Sequence, residues 1–304
     1  WAGRSRVSSI RAYMERGATV PESHVLHEPV GSRVGNRRLT LAAVVACAAC
    51  FCAILACGWM LRDDAMVSDF SIKNLAPDAA HPFGTDWMGR DMLCRTVAGL
   101  AVSLGVGLVA SVASSCIALV LACVSVLGGR TADAVVSWLV DLVMGIPHIV
   151  LLLLISYALG KGFWGVTIGL ALTHWPSLAV VLRSEARSVL TLPYIETLDH
   201  LGVSRPCIAM RHVLPALLPQ LFAGMVLMFP HAILHEASIT FLGFGLSPDK
   251  PAIGTILSES MGYLSTGRWW LAVFPGLALV ACVMVFDAVA GLVRRLTDAA
   301  TVQE

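Results

Sequence analysis

Long apolar runs without a charged residue alternate with short polar stretches along this chain of 304 residues. A helix needs about 20 such residues to cross a hydrocarbon core of ~30 Å. Six runs approach that length: 39–61, the second half of 96–129, 142–160, 162–182, roughly 215–246 (interrupted by Glu236) and 269–293 (interrupted by Asp287). Lipid offers no partner to backbone N–H and C=O groups, so these runs are expected to be helices. The pattern predicts an all-α polytopic membrane protein with six transmembrane helices. One long stretch in the middle of the chain, 196–215, instead looks made for water, and it separates the fourth run from the fifth.

Composition agrees with a bilayer. Hydrophobic residues make up 57% and charged residues 13%, about half the ~25% charged fraction of soluble domains. Lys and Arg prefer the cytoplasmic side. With the N-terminus inside, fourteen of the 21 basic residues fall in the cytosol, and the opposite orientation inverts the ratio. The termini are therefore expected to be cytosolic, the mostly acidic loop 62–95 external, and 196–215 cytosolic. The net charge of +1 argues against nucleic acid as a partner, because phosphate neutralisation needs a clustered basic surface. The tail 1–38, which starts on Trp1 rather than Met, reads as a truncated, flexible cytosolic extension whose seven Arg can touch anionic lipid. Of nine Cys, four crowd the first run, where a thiol serves as a small apolar side chain.

The water-facing stretch predicts an elbow. Thr191 reads as an N-cap with Pro193 in the first turn. Tyr194, Leu198 and Leu201 then share one helical face. Gly202 suits a left-handed helix end, and Ser204 with Pro206 can start a second helix running into 211–215. An apolar ridge of this kind fits a groove on another protein.

Here the residues carry a resemblance. Glu196-Thr197-Leu198, Gly202 six residues after the Glu, and Leu214-Pro215 beyond it resemble the coupling loop of ABC importer permeases of the dipeptide, oligopeptide and nickel branch. Gly84-Thr85-Asp86-Trp87-Met88-Gly89-Arg90-Asp91 resembles that branch's external G-T-D-x-x-G-R-D signature. Asp133, Asp141 and Pro147 match its second cytosolic loop, with Trp138 where an Arg is usual. The stretch from Glu236 to Gly245 is similar to its E-A-x-L-S-F-L-G-L-G segment. The resemblance implies a type I ABC importer permease fold in the inner membrane of a prokaryote, with a permease core over 96–295, a coupling loop over 184–214 and a cytosolic tail over 296–304. It also implies two separate ATPase subunits, a second permease subunit forming a heterodimer, and an external solute-binding protein. Lys73, Lys161 and Lys250 are the only lysines, and none can complete a phosphate-cradling Gly-Lys-Ser/Thr loop. The chain is accordingly expected to bind no cofactor and catalyse nothing, with ATP and magnesium used by its partners.

Ionisable groups inside the runs are costly and point to function or pairing. His231 and His235 stand at i and i+4 on one face, Glu236 follows, and His174 sits in the fourth run. These four are the candidate translocation path, with His231 and His235 as candidate ligands for a cation such as nickel, copper or zinc. A purely structural role, hydrogen bonding between helices, is the alternative. In the resemblance, the His pair leans toward nickel or its chelates as cargo and Glu236 toward di- or oligopeptides. A zinc protease is excluded on spacing, since its Glu stands between the two His rather than after both. An ion-coupled secondary transporter would predict inverted repeats, which the chain does not display.

Overall fold

The computed structural model describes residues 37–297, apart from the side chains of 37–41, 199 and 294–297. The chain divides into two units, Trp1–Leu41 and Ala42–Glu304, and the architecture below is that of the second. The expectations for the N-terminal tail and for both termini lie outside the described residues.

The regular structure of the described residues is helical, with two short 3-10 turns, Asp64–Met66 and Phe70–Ile72, in the loop before α2 and one isolated bridge between Thr85 and Asp91. In chain order the helices are α1 (Arg37–Met60), α2 (Met92–Leu127), α3 (Gly129–Met144), α4 (His148–Ala158), α5 (Gly162–Leu190), α6 (Pro193–His200), α7 (Arg205–Ile208), α8 (Leu214–Phe241), α9 (Ile253–Leu264) and α10 (Trp270–Thr297). A wide π turn, Ala209–Val213, joins α7 to α8.

Five helices are long and apolar enough to cross a membrane unbroken: α1, α2, α5, the continuous stretch Arg205–Phe241, and α10. The single helix expected over 142–160 does not form. Instead α3 and α4 meet at 93° and make a bent pair of apolar helices. Gly145 ends α3, and Pro147, which has no N–H and disfavours helix at Ile146, precedes α4. The 11 residues of α4 rise only about 17 Å, too little to span alone. Apolar length was legible in the sequence there, and the bend within it was overlooked.

Helix α2 begins at Met92, earlier than its apolar half suggests, and its 36 residues reach about 54 Å. It packs against α5 and α8. Its buried positions are mostly small, including Ala98, Gly99, Ser103, Gly107, Ala110, Ser114, Ala118 and Ala122, which lets helices approach closely where lipid gives no hydrophobic drive. Ser114 Oγ donates to Ala171 O at 3.0 Å, and a Cβ at Gly107 would come within 2.8 Å of Ile233.

The core falls into separate clusters. Around the elbow end it is built from Ala118, Ala122, Val140, Leu178, Leu182, Ala186, Val213 and Leu217. Around the loop that precedes α2 it comprises Met92, Leu100, Leu104, Ile233, Ile253, Ile256 and Leu271. A third cluster, with Val106, Ala110, Leu152, Val166, Leu170 and Ile239, seats α4 and α5 against α2 and α8.

Candidate functional site

Three imidazoles meet inside the bundle. His148 opens α4 immediately after the bend, His174 lies on α5 two residues before Pro176, and His235 lies on α8. Ring centroids are 4.5 Å apart for His148–His174, 4.5 Å for His148–His235 and 5.3 Å for His174–His235. One nitrogen from each lies within 4.8 Å of the others, and all three residues are partly exposed. His174 Nδ1 lies 3.0 Å from Leu170 O, so it carries the proton and leaves Nε2 as a lone pair. That Nε2, like His148 Nδ1, is buried without a hydrogen-bond partner.

Of the residues expected on the path, the structure unites His174 and His235 and leaves two aside. His231 is exposed and stands outside the group. Glu236 is fully buried, with Oε1 accepting from Thr240 Oγ1 at 2.8 Å. Thr240 Oγ1 in turn accepts the Leu246 N–H at 3.1 Å, so this carboxyl helps hold the turn after α8. His148 was missed. The available signal was a lone imidazole, costly in lipid, inside an otherwise apolar run.

The Gly84–Asp91 signature forms a second site, and its residues have separable roles. Gly84 and Gly89 have φ of +72° and +76°, a region that favours glycine. A Cβ at Gly89 would collide with the Asp69 backbone. Thr85 Oγ1 donates to Ile72 O and accepts the Leu75 N–H, closing the loop on itself. Asp86 Oδ2 accepts from Arg90 Nε at 2.6 Å and from Arg95 Nη1 at 2.7 Å, all three side chains being at most 5% exposed. Glu259 Oε2 on α9 takes the other ends, Arg90 Nη2 at 3.2 Å and Arg95 Nη2 at 3.0 Å. Two carboxylates thus neutralise two buried guanidiniums and tie loop, α2 and α9 together. Arg95 and Glu259 were not singled out from sequence, because partners 164 residues apart carry no local signal. Asp91 caps α2 by accepting the Cys94 N–H at 2.9 Å and faces His81 Nδ1 at 2.7 Å. Burial pushes its carboxyl up, but His81 and the N–H groups of Cys94 and Leu93 together hold it below the usual carboxylate range.

At the other end lies the elbow. Helix α6 runs from Pro193, and Thr191, expected as its N-cap, instead ends α5, its Oγ1 donating to Ser188 O at 2.8 Å. Gly202 has φ +80° with open space around it. Ser204 precedes α7 with Pro206 in its first turn, as the pattern suggested. Of the expected ridge, Tyr194 is 48% and Leu201 74% exposed, joined by Met210 at 65%. Leu198 is half-buried, and buried Ile195 anchors the elbow. Glu196 and Pro215 are exposed and Leu214 is half-buried. Beside the elbow, Asp133 on α3 accepts from Arg183 Nη2 at 2.5 Å and Arg187 Nη2 at 2.6 Å, and from Ser125 on α2. This clamps the bent pair to α5. Trp138 is 61% exposed.

The described residues thus form a multi-helix bundle with an exposed apolar elbow at one end and a charge-locked loop at the other. Residues 114–299, more than half of the chain, match the family described as binding-protein-dependent transport system inner membrane component, and the chain belongs to that family. It is 34% identical over 233 residues, 76% of each chain, to a protein of Brucella suis biovar 1 named "Putative peptide permease protein". It is also 31% identical over 241 residues, 79% of this chain and 80% of the other, to the "Probable D,D-dipeptide transport system permease protein DdpC" of Escherichia coli K12. The fold is that of the solved "amino acid ABC transporter with histidines", with TM-score 0.51 and 18% identity over 66% of this chain and 93% of that one. The chain is thus an ABC importer permease subunit with the type I fold, and the lean toward nickel draws no support from these names.

Proposed function

We propose that this chain is one of two different permease subunits of an ATP-driven importer for di- or oligopeptides, moved by separate ATPases that grip its elbow. The carrying observation is the exposure of the apolar side chains Tyr194 and Leu201 on the short elbow helix and its turn, with Met210 exposed just beyond it. Apolar side chains grouped on a polar surface mark a docking site, and a short helix end offers them to a groove. ATP and magnesium act on the partner subunits. Closure of two ATPases draws the elbows together and rocks the helices between inward- and outward-facing states, while a binding protein delivers cargo at the external loops 62–95 and 247–268. Peptide cargo is supported by the names of the two relatives. A metal ion or its chelate is the second reading, favoured by the three imidazoles alone.

Cross-linking from Leu201→Cys in intact cells should capture an ATP-hydrolysing subunit. Its absence from the adducts would overturn the coupling assignment. Deleting the gene should abolish ATP-dependent uptake of a labelled dipeptide. Peptide uptake unchanged with nickel uptake lost would replace the cargo, and uptake that survives ATP depletion on an ion gradient would replace the class.

A further inference from the structure

We propose that His148, His174 and His235 form a three-imidazole site for a borderline transition-metal dication of the nickel, cobalt, copper or zinc kind. The site stands on the geometry of this chain and does not depend on the importer reading. Three separate elements converge to make it: the first residue after the 93° bend, the middle of α5, and α8. No pattern along the chain relates these positions.

The chemistry of the donors fits a cation. Neutral imidazole suits these metals. His174 already has the arrangement a ligand needs, with Nε2 buried and unpartnered and Nδ1–H committed to the Leu170 carbonyl, a contact that fixes tautomer and ring orientation. His148 Nδ1 is likewise without a partner. If the cluster served only to hydrogen-bond helices together, these nitrogens would be bonded to one another or to neighbouring groups, yet they are left open. Metal–nitrogen bonds of about 2.0–2.1 Å put ligand nitrogens some 3.3 Å apart in a tetrahedron. The present limit of 4.8 Å therefore closes by modest ring rotations about a shared centre. Three protein ligands leave a coordination position open. The open position can be filled by water when the ion arrives free, or by a donor of a peptide or other chelator that brings the ion. The metal would also brace the bend at Gly145–Pro147 against α5 and α8, linking occupancy to the 93° junction of α3 and α4.

The experiment uses the full chain, without an oligohistidine tag, in lipid nanodiscs titrated with cobalt(II) chloride. One cobalt per chain with visible ligand-field absorption is expected. His148→Gln, His174→Gln and His235→Gln should each weaken binding at least about tenfold, whereas His231→Gln should leave it within about twofold. No cobalt absorption up to about 1 mM, or Gln variants that bind like wild type, would overturn the site. A loss in H231Q as large as in H235Q would overturn it in favour of the i, i+4 pair. Should a Gln variant fail to fold, His174→Cys decides. A thiolate-to-cobalt charge-transfer band places that position in the coordination sphere, and cobalt bound without the band removes it. Repeating the titration with cobalt presented as its dipeptide complex separates the two sources: a changed spectrum marks a chelate held at the open position, an unchanged one the free ion. Cobalt binding needs no ATPase. Its failure therefore leaves the elbow and the importer reading standing, and failure of the elbow cross-link leaves the metal site standing.

Discussion

Asp86 carries more of the Gly84–Asp91 loop than any other side chain, because its carboxylate faces two guanidiniums in a place water does not reach. Both Arg90 and Arg95 retain Glu259, which is 25% exposed, as their other partner. Removing one member of a buried ion network strands the rest and costs about 3–5 kcal/mol. Asp86→Ala is therefore expected to lower the midpoint of denaturant unfolding in detergent strongly, and Glu259→Gln to lower it less. Asp91 supplies the pH dependence. Its carboxyl is held below the usual range in the folded chain, so its contribution is complete above the unfolded value of about 3.9 and is lost as pH falls further, through the folded value. Thermal unfolding of wild type against Asp91→Ala should show a gap of about 1 kcal/mol near neutrality, narrowing below about pH 4. A gap that stays constant on acidification would remove the charged cap as its cause.

At the scale of elements, the elbow is a lever only if its angle is set. Gly202 at φ +80° sets it, and a β-branched residue there adopts that conformation at a cost of about 1–3 kcal/mol. Since nothing crowds the position, Gly202→Val should leave the bundle folded and change the direction of α7. The expected outcome is normal membrane levels with cargo uptake reduced at least about tenfold and ATP hydrolysis no longer stimulated by cargo. Unaltered transport would count against the lever. The bend between α3 and α4 shows what periodicity leaves undecided. Gly145 and Pro147 are visible in the sequence, but so are Pro176, Pro219, Pro230 and Pro275, which lie inside continuous helices. Whether a proline breaks a span depends on neighbours that re-satisfy the freed backbone groups, and those are tertiary.

Across the whole molecule, the elbow and the Gly84–Asp91 loop are held by separate clusters, to both of which α2 and α8 contribute. Under the proposed coupling, a movement gripped at one end reaches the other through these two packed helices. Leu217, fully buried in the elbow-side cluster, tests this. In lipid the loss on Leu217→Ala is packing rather than transfer from water, so about 2 kcal/mol is expected, at the lower edge of core substitutions. Thermal unfolding should register it. If the cluster transmits motion, uptake should fall more than the lost protein accounts for. An uptake loss proportional to the lost protein would make the cluster a support only.

Much was determined by sequence alone: the order of the apolar segments, the elbow with Gly202 and Ser204–Pro206, and the glycines, threonine and carboxylates of the Gly84–Asp91 loop. Each depends on residues a few positions apart, where helix period, turn chemistry and hydrophobic length act directly. Tertiary structure decided what joins distant positions. It set Arg95 and Glu259 on Asp86, turned Glu236 toward Thr240 rather than toward the histidines, left His231 outside, and brought His148 to His174 and His235. A side chain's direction on a helix is known from period only relative to its own helix, and which neighbour it meets follows from how α2, α4, α5 and α8 pack.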